Sequence, residues 1–293
     1  MVKRVAGWTV ALCVALAILT GAAAAVAVFG PKGDVATVVS VRGETYEMTT
    51  GGVYAYNAQR VVAEGVGWDL VTLFVAAPAL LMALPALRRG GLRARLFVLG
   101  ILGYIFYQYL MYALAWALGP LFPVFIIIFT ASLIAIVSLA AGIPLAEVAR
   151  RAGEGFPRRG MALLSWAISA VLLGMWVTRI TAALSGQIQG ILLGQTTLVV
   201  QALDLGLLVP LLVYTGVATW RGRASGYVLS AVMVVKAVTM ATALCAMLVA
   251  ARLYGDPLEL PPLIFFGAVA AVSVWLGARM YRSLGPEPEQ AQG

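Results

Sequence analysis

The chain has 293 residues, of which 62% are hydrophobic and only 11% are charged, and its mean hydropathy is +0.97. This composition excludes an ordinary soluble domain and is typical of a membrane protein that crosses the bilayer several times. The formal net charge of +8 does not indicate a nucleic-acid partner, because the basic residues occur in pairs near the ends of apolar segments rather than in one cluster.

Eight apolar segments are long enough to cross the hydrocarbon core, which requires about 20 helical residues. They cover approximately residues 8–29, 68–87, 96–118, 121–143, 161–184, 197–219, 226–253 and 262–280. Most Lys and Arg residues fall on the side of the N-terminus, and basic residues in short loops are retained in the cytoplasm. We therefore predict an all-α, multi-pass protein of the bacterial plasma (inner) membrane with both termini in the cytoplasm. Its basic pairs are expected to contact membrane lipids with anionic headgroups.

The first segment also has features of a secretory signal, because Met1-Val-Lys-Arg precedes an apolar run that ends in small residues, Ala22 to Ala25. The apolar run is long for a signal sequence, so we expect it to be retained as a helix.

The longest outer loop follows, at residues 30–67. Its β-branched residues partly alternate with polar ones between glycines, which predicts a small β-containing extracytoplasmic cap. The cap either serves as a lid or a docking site for a protein partner, or only connects two helices.

Polar side chains occur in the outer parts of the second and third segments. Asp69 follows Trp68 at the predicted outer edge of the second segment and is a candidate for ligand binding or coupling, although an Asp in this position usually marks a helix start. The third segment carries hydroxyl and amide groups that need hydrogen-bond partners at that depth: Tyr104, Tyr107, Gln108, Tyr109 and Tyr112. This stripe lines an outward-open pocket in one interpretation and forms a packed core in the other.

The middle of the chain contains an Arg-, Gly- and Pro-rich stretch at residues 144–160, which we interpret as a cytoplasmic linker. It separates a first unit, residues 1–143, from a second unit, residues 161–282. Residues 283–293 form a cytoplasmic tail. Each unit holds four of the predicted spans.

Two ionisable residues lie deep inside the second unit, Asp204 in the sixth segment and Lys236 in the seventh. A charge near the centre of a spanning helix costs roughly 2.5–3.5 kcal/mol on the insertion scale, so both are expected to face the protein interior. Their depths differ by only about 5 Å at the helical rise, which makes a direct or water-bridged ion pair feasible. Gln201 and Thr239 lie one turn away on the same faces. The pair either locks two helices together or forms the polar centre of a site.

The two units show the same order of features, which predicts two parallel four-helix repeats. Asp69, Pro78 and Met111 in the first unit correspond to Asp204, Pro210 and Met240 in the second. The prolines are separated by 132 residues and the methionines by 129. A turn three residues longer in the first unit would explain this difference.

Three segments carry a resemblance to known proteins. They are Gly67-Trp-Asp-Leu-Val-Thr-Leu-Phe followed by Pro78, the stretch from Arg88 to Tyr109, and Leu203-Asp-Leu-Gly-Leu-Leu-Val-Pro. In these segments the chain resembles an uncharacterised family of bacterial multi-span integral membrane proteins. The resemblance covers most of the chain and implies about eight helices, but it implies no activity.

The residue chemistry restricts the possible functions. The sequence has no His, two isolated Cys residues within spans, no phosphate-binding loop and no nucleophile elbow. We therefore expect no cofactor and no metal. Catalysis is not favoured but stays open, and it would have to depend on Asp204, Lys236, Asp69 or a Tyr residue. The main hypothesis is binding or transport of a small molecule or ion between helices near Asp204 and Lys236. The alternative is a non-catalytic complex subunit, assembly factor or sensor that acts through residues 30–67, and a lipid-modifying enzyme is the third possibility.

Overall fold

The computed structural model describes residues 5–153 and 155–284, and eight helices in this part of the chain are long and apolar enough to cross a membrane. In chain order the helices are α1 (Gly7–Phe29), α2 (Gln59–Arg88), α3 (Leu92–Ala115), α4 (Phe122–Ala141), the short α5 (Leu145–Ala152), α6 (Arg158–Leu184), α7 (Val199–Trp220), α8 (Ala224–Leu253) and α9 (Leu260–Ser283). The prediction of a mostly helical polytopic membrane protein with eight spans is confirmed.

The outer loop forms the predicted β-hairpin. Strands β1 (Val35–Val39) and β2 (Thr45–Thr49) pair antiparallel, with Val35 opposite Thr49, and Thr37 donates across the strands to Glu47 at 2.7 Å. Gly43 closes the turn with a φ of +82°, which is a conformation that glycine adopts without strain. The prediction of a small β-containing element between the first two spans is therefore confirmed.

Helix α2 begins at Gln59 rather than at residue 68, so the loop is shorter than predicted and the cap is residues 30–58. The polar start of α2 is stabilised by Arg60, which forms ion pairs with Glu64 at 3.1 Å and with Glu259 at 2.9 Å. Asp69 consequently lies well inside α2 and is only 1% exposed. The prediction that Asp69 marks an interfacial helix start is wrong.

The core of the molecule is built around α3, the most buried of the eight spans, and around α8, which packs against α2, α3, α7 and α9. Small residues allow these backbones to approach closely, as is typical of helices packed within membranes. A Cβ atom at Gly67 would lie 2.5 Å from the backbone oxygen of Ala246, and one at Gly100 would lie 2.4 Å from Cβ of Val235. The second half of the chain therefore interlocks with the first through α8.

The interhelical stretch at residues 144–160, predicted as a linker, contains the helix α5. Val148 and Ala152 of this helix are buried, and α5 packs against α8 and α9. Glu147 accepts hydrogen bonds from Arg150 and from Arg151, the latter at 2.6 Å. The hydrogen bond from Arg151 contributes most to holding the pKa of the Glu147 carboxyl below its ordinary value. Helix α5 is therefore a packed element at the end of the bundle opposite the cap.

Helices α2 and α7 share an irregularity, since each contains one π-helical turn within an otherwise α-helical span. The turns are Thr72–Ala76 and Asp204–Leu208, and Pro78 or Pro210 follows two residues after the turn. A π-turn inserts an extra residue into the helical ladder, and such insertions occur frequently at functional sites. Both π-turns begin within a buried polar part of the molecule.

The hairpins α2–α3 and α7–α8 have equal spacing along the chain. Their connecting turns comprise residues 89–91 and 221–223, and Gly90 and Gly222 have φ values of +83° and +69°. The π-turn, the proline and the glycine of the first hairpin each lie 132 residues before their counterparts in the second hairpin. The prediction of a longer first turn is therefore wrong, and Met111 and Met240 do not occupy equivalent positions.

Replacing Gly67 with Ala should destabilise the bundle, because the new methyl group would overlap the α8 backbone at Ala246 and Met247. Overpacking of this kind costs about 1–3 kcal/mol. The matched control is Gly103→Ala in α3, where a Cβ atom meets no described atom within 4 Å. Thermal unfolding of the detergent-purified protein should show a lower midpoint for Gly67→Ala only. Equal midpoints for the two variants would contradict this packing.

Candidate functional site

Helix α3 presents polar side chains to two neighbouring clusters in the membrane interior. We define the Asp69 cluster as Tyr54, Asp69, Thr72, Tyr104, Gln108 and Tyr112. We define the Asp204 cluster as Tyr107, Trp176, Asp204 and Lys236. Tyr104, Gln108 and Tyr112 share one face of α3 through their i,i+4 spacing, whereas Tyr107 points to the other cluster.

The Asp69 carboxylate accepts three hydrogen bonds from side chains. Tyr54 donates to Oδ2 at 2.5 Å, and Gln108 and Tyr112 donate to Oδ1 at 3.1 and 3.3 Å. Tyr54 belongs to the cap, so one of these bonds joins the outer hairpin region to the buried part of α2. A carboxylate held by three donors is well satisfied in a low-dielectric environment.

The network continues inward along α2 and α3. Thr72 donates to Oε1 of Gln108 at 2.5 Å and lies 3.0 Å from the hydroxyl of Tyr104. The ring of Trp68 packs against the rings of Tyr104 and Tyr112, with centroids 6.5 and 5.7 Å apart. The Asp69 cluster is thus densely packed and internally bonded, which suits an anchor for the cap better than an open ligand pocket.

The Asp204 cluster joins four different helices. Tyr107 of α3 donates a hydrogen bond to Oδ1 of Asp204 in α7, and the indole Nε1 of Trp176 in α6 donates to Oδ2 at 2.7 Å. Lys236 of α8 places its Nζ 4.2 Å from the centroid of the Tyr107 ring, which is a cation–π contact. Tyr107 therefore lies between the two charged residues.

The two charges do not form the direct ion pair that the sequence made feasible. No oxygen of Asp204 lies within 4.0 Å of Lys236 Nζ, and this amine has no hydrogen-bond or ion partner among residues 5–153 and 155–284. Lys236 is nevertheless only 8% exposed. A buried ammonium supported by one aromatic ring is the least satisfied polar group of the cluster.

Three further residues with predicted roles lie outside both clusters. Tyr109 donates to the backbone oxygen of Thr20 in α1 at 3.3 Å and belongs to the packed core. Thr239 donates to the backbone oxygens of its own helix at Val235 and Lys236. Gln201 is buried, but it makes no hydrogen bond to Asp204 within the described part of the chain.

Sequence reasoning missed Tyr54, Thr72 and Trp176 as members of these clusters. Thr72 could have been found, because it lies three residues after Asp69 and therefore on nearly the same helical face. Tyr54 lies in an irregular segment between β2 and α2, where periodicity gives no direction. Trp176 belongs to α6, and its contact with α7 depends on how these two helices pack, which the periodicity of the sequence does not predict.

A cavity of about 290 Å³ lies at the cap end of α3, above the Asp69 cluster. It is bordered by the cap, by the residues that follow α3 and by the loop before α7, with Tyr46, Tyr56, Trp116 and Thr197 among its lining side chains. The ring of Trp116 contacts Tyr54 and Tyr112 at 4.3 and 4.4 Å between centroids. The predicted aromatic stripe thus continues outward from the packed interior to this cavity.

No protein-family model matches the chain, and no curated protein or solved structure is significantly similar to it. Within residues 5–153 and 155–284 there is also no group of three or more His, Cys, Asp and Glu residues that could hold a metal ion. A functional assignment therefore depends on the geometry of the two clusters.

Replacing Tyr54 with Phe should loosen the cap, because it removes the hydroxyl that donates to Asp69 and leaves an acceptor under-satisfied. The expected cost is about 1–3 kcal/mol, which corresponds to roughly a 5- to 150-fold increase in amide exchange across residues 45–58. The control is Tyr56→Phe, since Tyr56 is 63% exposed in the same cap. Hydrogen-exchange mass spectrometry compares the two variants, and equal exchange rates would rule out the proposed anchor.

Proposed function

We propose that this membrane protein binds or transports a small anionic molecule or inorganic anion at Lys236, between α3, α6, α7 and α8. The observation that carries the proposal is the Lys236 side chain, which is 8% exposed and whose ammonium is without an acceptor in the described residues although a carboxylate lies nearby. An arriving anion would complete the coordination of this amine. A binding site between helices is the usual position for ligands in helical bundles.

The depth of Lys236 supports this role. It follows the start of α8 at Ala224 by twelve residues, which corresponds to about 18 Å along the helix and therefore to the middle of the bilayer. Charged residues at such depth are costly and typically mark pathways for ions or substrates. The contact with the Tyr107 ring contributes on the order of 2 kcal/mol in a desolvated environment, which offsets only part of the cost.

The hydrogen-bond partners of Asp204 orient its carboxylate group. Each of its two oxygens already accepts a hydrogen bond, one from Tyr107 and one from Trp176. Uptake of a proton at Oδ1 would turn this oxygen into a donor, and the hydrogen bond with the Tyr107 hydroxyl, which can donate or accept, would reverse its direction. We therefore assign Asp204 the role of coupling residue, whose protonation would reposition Tyr107 beneath the amine. The π-turn that begins at Asp204 offers the local backbone freedom for such a step.

The proposal includes an architecture of two parallel four-helix repeats related by an axis along the membrane normal. The equal spacing of π-turns, prolines and positive-φ glycines in the α2–α3 and α7–α8 hairpins supports it. Most basic residues lie at the end of the bundle opposite the cap, which supports cytoplasmic termini and an external cap in a bacterial plasma membrane. The site would then open toward the cap through the cavity near Trp116.

Anion binding can be tested with the purified full-length protein. Chloride, acetate and phosphate are titrated against gluconate at constant ionic strength, and the thermal midpoint is recorded. We expect at least one small anion to stabilise the wild type, because ligand binding to the folded state raises its stability. Lys236→Met should abolish this response. Thr239→Val, one turn away on α8, is the control and should retain it.

A double variant separates a ligand site from a structural lock. In Asp204→Leu/Lys236→Met both charges are replaced by apolar side chains, which can stabilise a helix contact as well as a buried ion pair does. If Asp204 and Lys236 form a ligand site, the double variant remains folded but loses the thermal response to the anion. It also loses uptake of the same anion into proteoliposomes. Retention of the wild-type response in either Lys236 variant would contradict the proposed function.

A second function is favoured by one feature of the cap. Val39 and Val41 are 68% and 90% exposed on a two-stranded hairpin, and exposed apolar side chains beside open strand edges favour docking of another protein. In this alternative the protein is a complex subunit, assembly factor or sensor. Val39→Asp/Val41→Asp should then reduce the mass of the native complex on blue-native gels without changing membrane insertion. An unchanged complex mass would argue against it.

A further inference from the structure

A second groove lies on the opposite end of the molecule from the cap, between α1 and the last two turns of α2. Its volume is about 630 Å³. The side chains that line it are Val10, Val14, Leu81, Leu84, Pro85, Arg88 and Arg89. None of these residues contributes to the Asp69 or the Asp204 cluster, so the groove is separate from the proposed anion site.

The groove is divided chemically along its length. Toward the membrane interior its walls are aliphatic, and Val14 and Leu81 remain 36% and 43% exposed on the lipid-facing surface. Toward the membrane surface it ends at two consecutive arginines, Arg88 in the last turn of α2 and Arg89 immediately after it. Nε of Arg89 donates to the backbone oxygen of Pro85 at 3.3 Å, which holds this guanidinium at the end of the groove.

We propose that this groove binds one anionic phospholipid, with an acyl chain along Val14 and Leu81 and the phosphate at Arg88 and Arg89. Guanidinium groups bind phosphate oxygens through paired, charge-assisted hydrogen bonds. Basic pockets between spanning helices on the cytoplasmic side are a recurrent position for anionic headgroups. The aliphatic walls open to the bilayer, so an acyl chain reaches them without leaving hydrocarbon.

The geometry favours a lipid over a soluble phosphate compound. Free phosphate would use only the arginine end, whereas the whole groove, at about 630 Å³, is within the size range of ligand pockets. A lipid would occupy both parts at once. Each basic residue near an anionic headgroup increases the affinity about fivefold, and the two arginines together increase it about 30-fold.

Binding is measured by native mass spectrometry and thermal shift on the full-length protein in detergent, with phosphatidylglycerol, phosphatidylcholine and glycerol 3-phosphate as probes. The wild type should prefer phosphatidylglycerol. Arg88→Gln/Arg89→Gln should reduce this binding by about 30-fold. The matched control is Arg221→Gln/Arg223→Gln, which removes two exposed arginines from the corresponding turn between α7 and α8 and should leave the affinity unchanged.

Leu81→Trp tests the acyl part of the groove, because it fills the apolar section and leaves both arginines in place. It should lower the affinity for phosphatidylglycerol without affecting any weak binding of glycerol 3-phosphate. Equal binding of glycerol 3-phosphate and phosphatidylglycerol would overturn the lipid assignment in favour of a soluble phosphate compound. Equal losses in the two double-arginine variants would overturn the assignment to this groove. Neither result depends on the anion response of Lys236.

Discussion

Hydrocarbon offers no hydrogen-bond partner, so the polar groups inside this bundle depend on other parts of the protein for their hydrogen bonds. This constraint explains why α3 is the central helix. It supplies hydroxyl and amide groups to Asp69 on one side and the Tyr107 hydroxyl to Asp204 on the other. Because Asp204 and Lys236 belong to the second half of the chain, Tyr107 makes the halves mutually dependent. Close backbone contacts of α8 at Gly67 and Gly100 reinforce this dependence.

The two clusters differ in how completely their polar groups are hydrogen-bonded, and the different roles that we propose for them follow from this difference. Asp69 receives three hydrogen bonds, one of them from the cap, and its neighbours are bonded to each other. Such a network keeps the side chains of the Asp69 cluster in one geometry. Lys236 instead rests on an aromatic ring beside a carboxylate whose oxygens are already occupied. An incompletely satisfied charge can change partner at a lower energetic cost, which is a property expected of a binding site rather than of an anchor.

The spans and the hairpin were predictable, because hydropathy and β-branched alternation report directly on local environment. The start of α2 at Gln59 was not predictable from the sequence, because Gln59, Arg60 and Glu64 lower the local hydropathy. The charge of Arg60 is partly balanced by Glu259, which is distant in the chain. Depth and helical spacing correctly indicated that Asp204 and Lys236 are buried. They could not show that Tyr107 lies between them, because periodicity defines the face of one helix but not the neighbour that the face meets.

The matching positions of the two hairpins have a consequence for the charged residues of the second hairpin. Thr72 and Tyr104, which lie 3.0 Å apart between α2 and α3, occupy the same positions relative to the prolines as Asp204 and Lys236 in α7 and α8. The first hairpin therefore folds with a neutral hydroxyl and a phenol in these positions. A span with a π-turn followed by a proline therefore forms in this chain with or without a carboxylate at this position, so the backbone shape alone does not require the charges of the second hairpin.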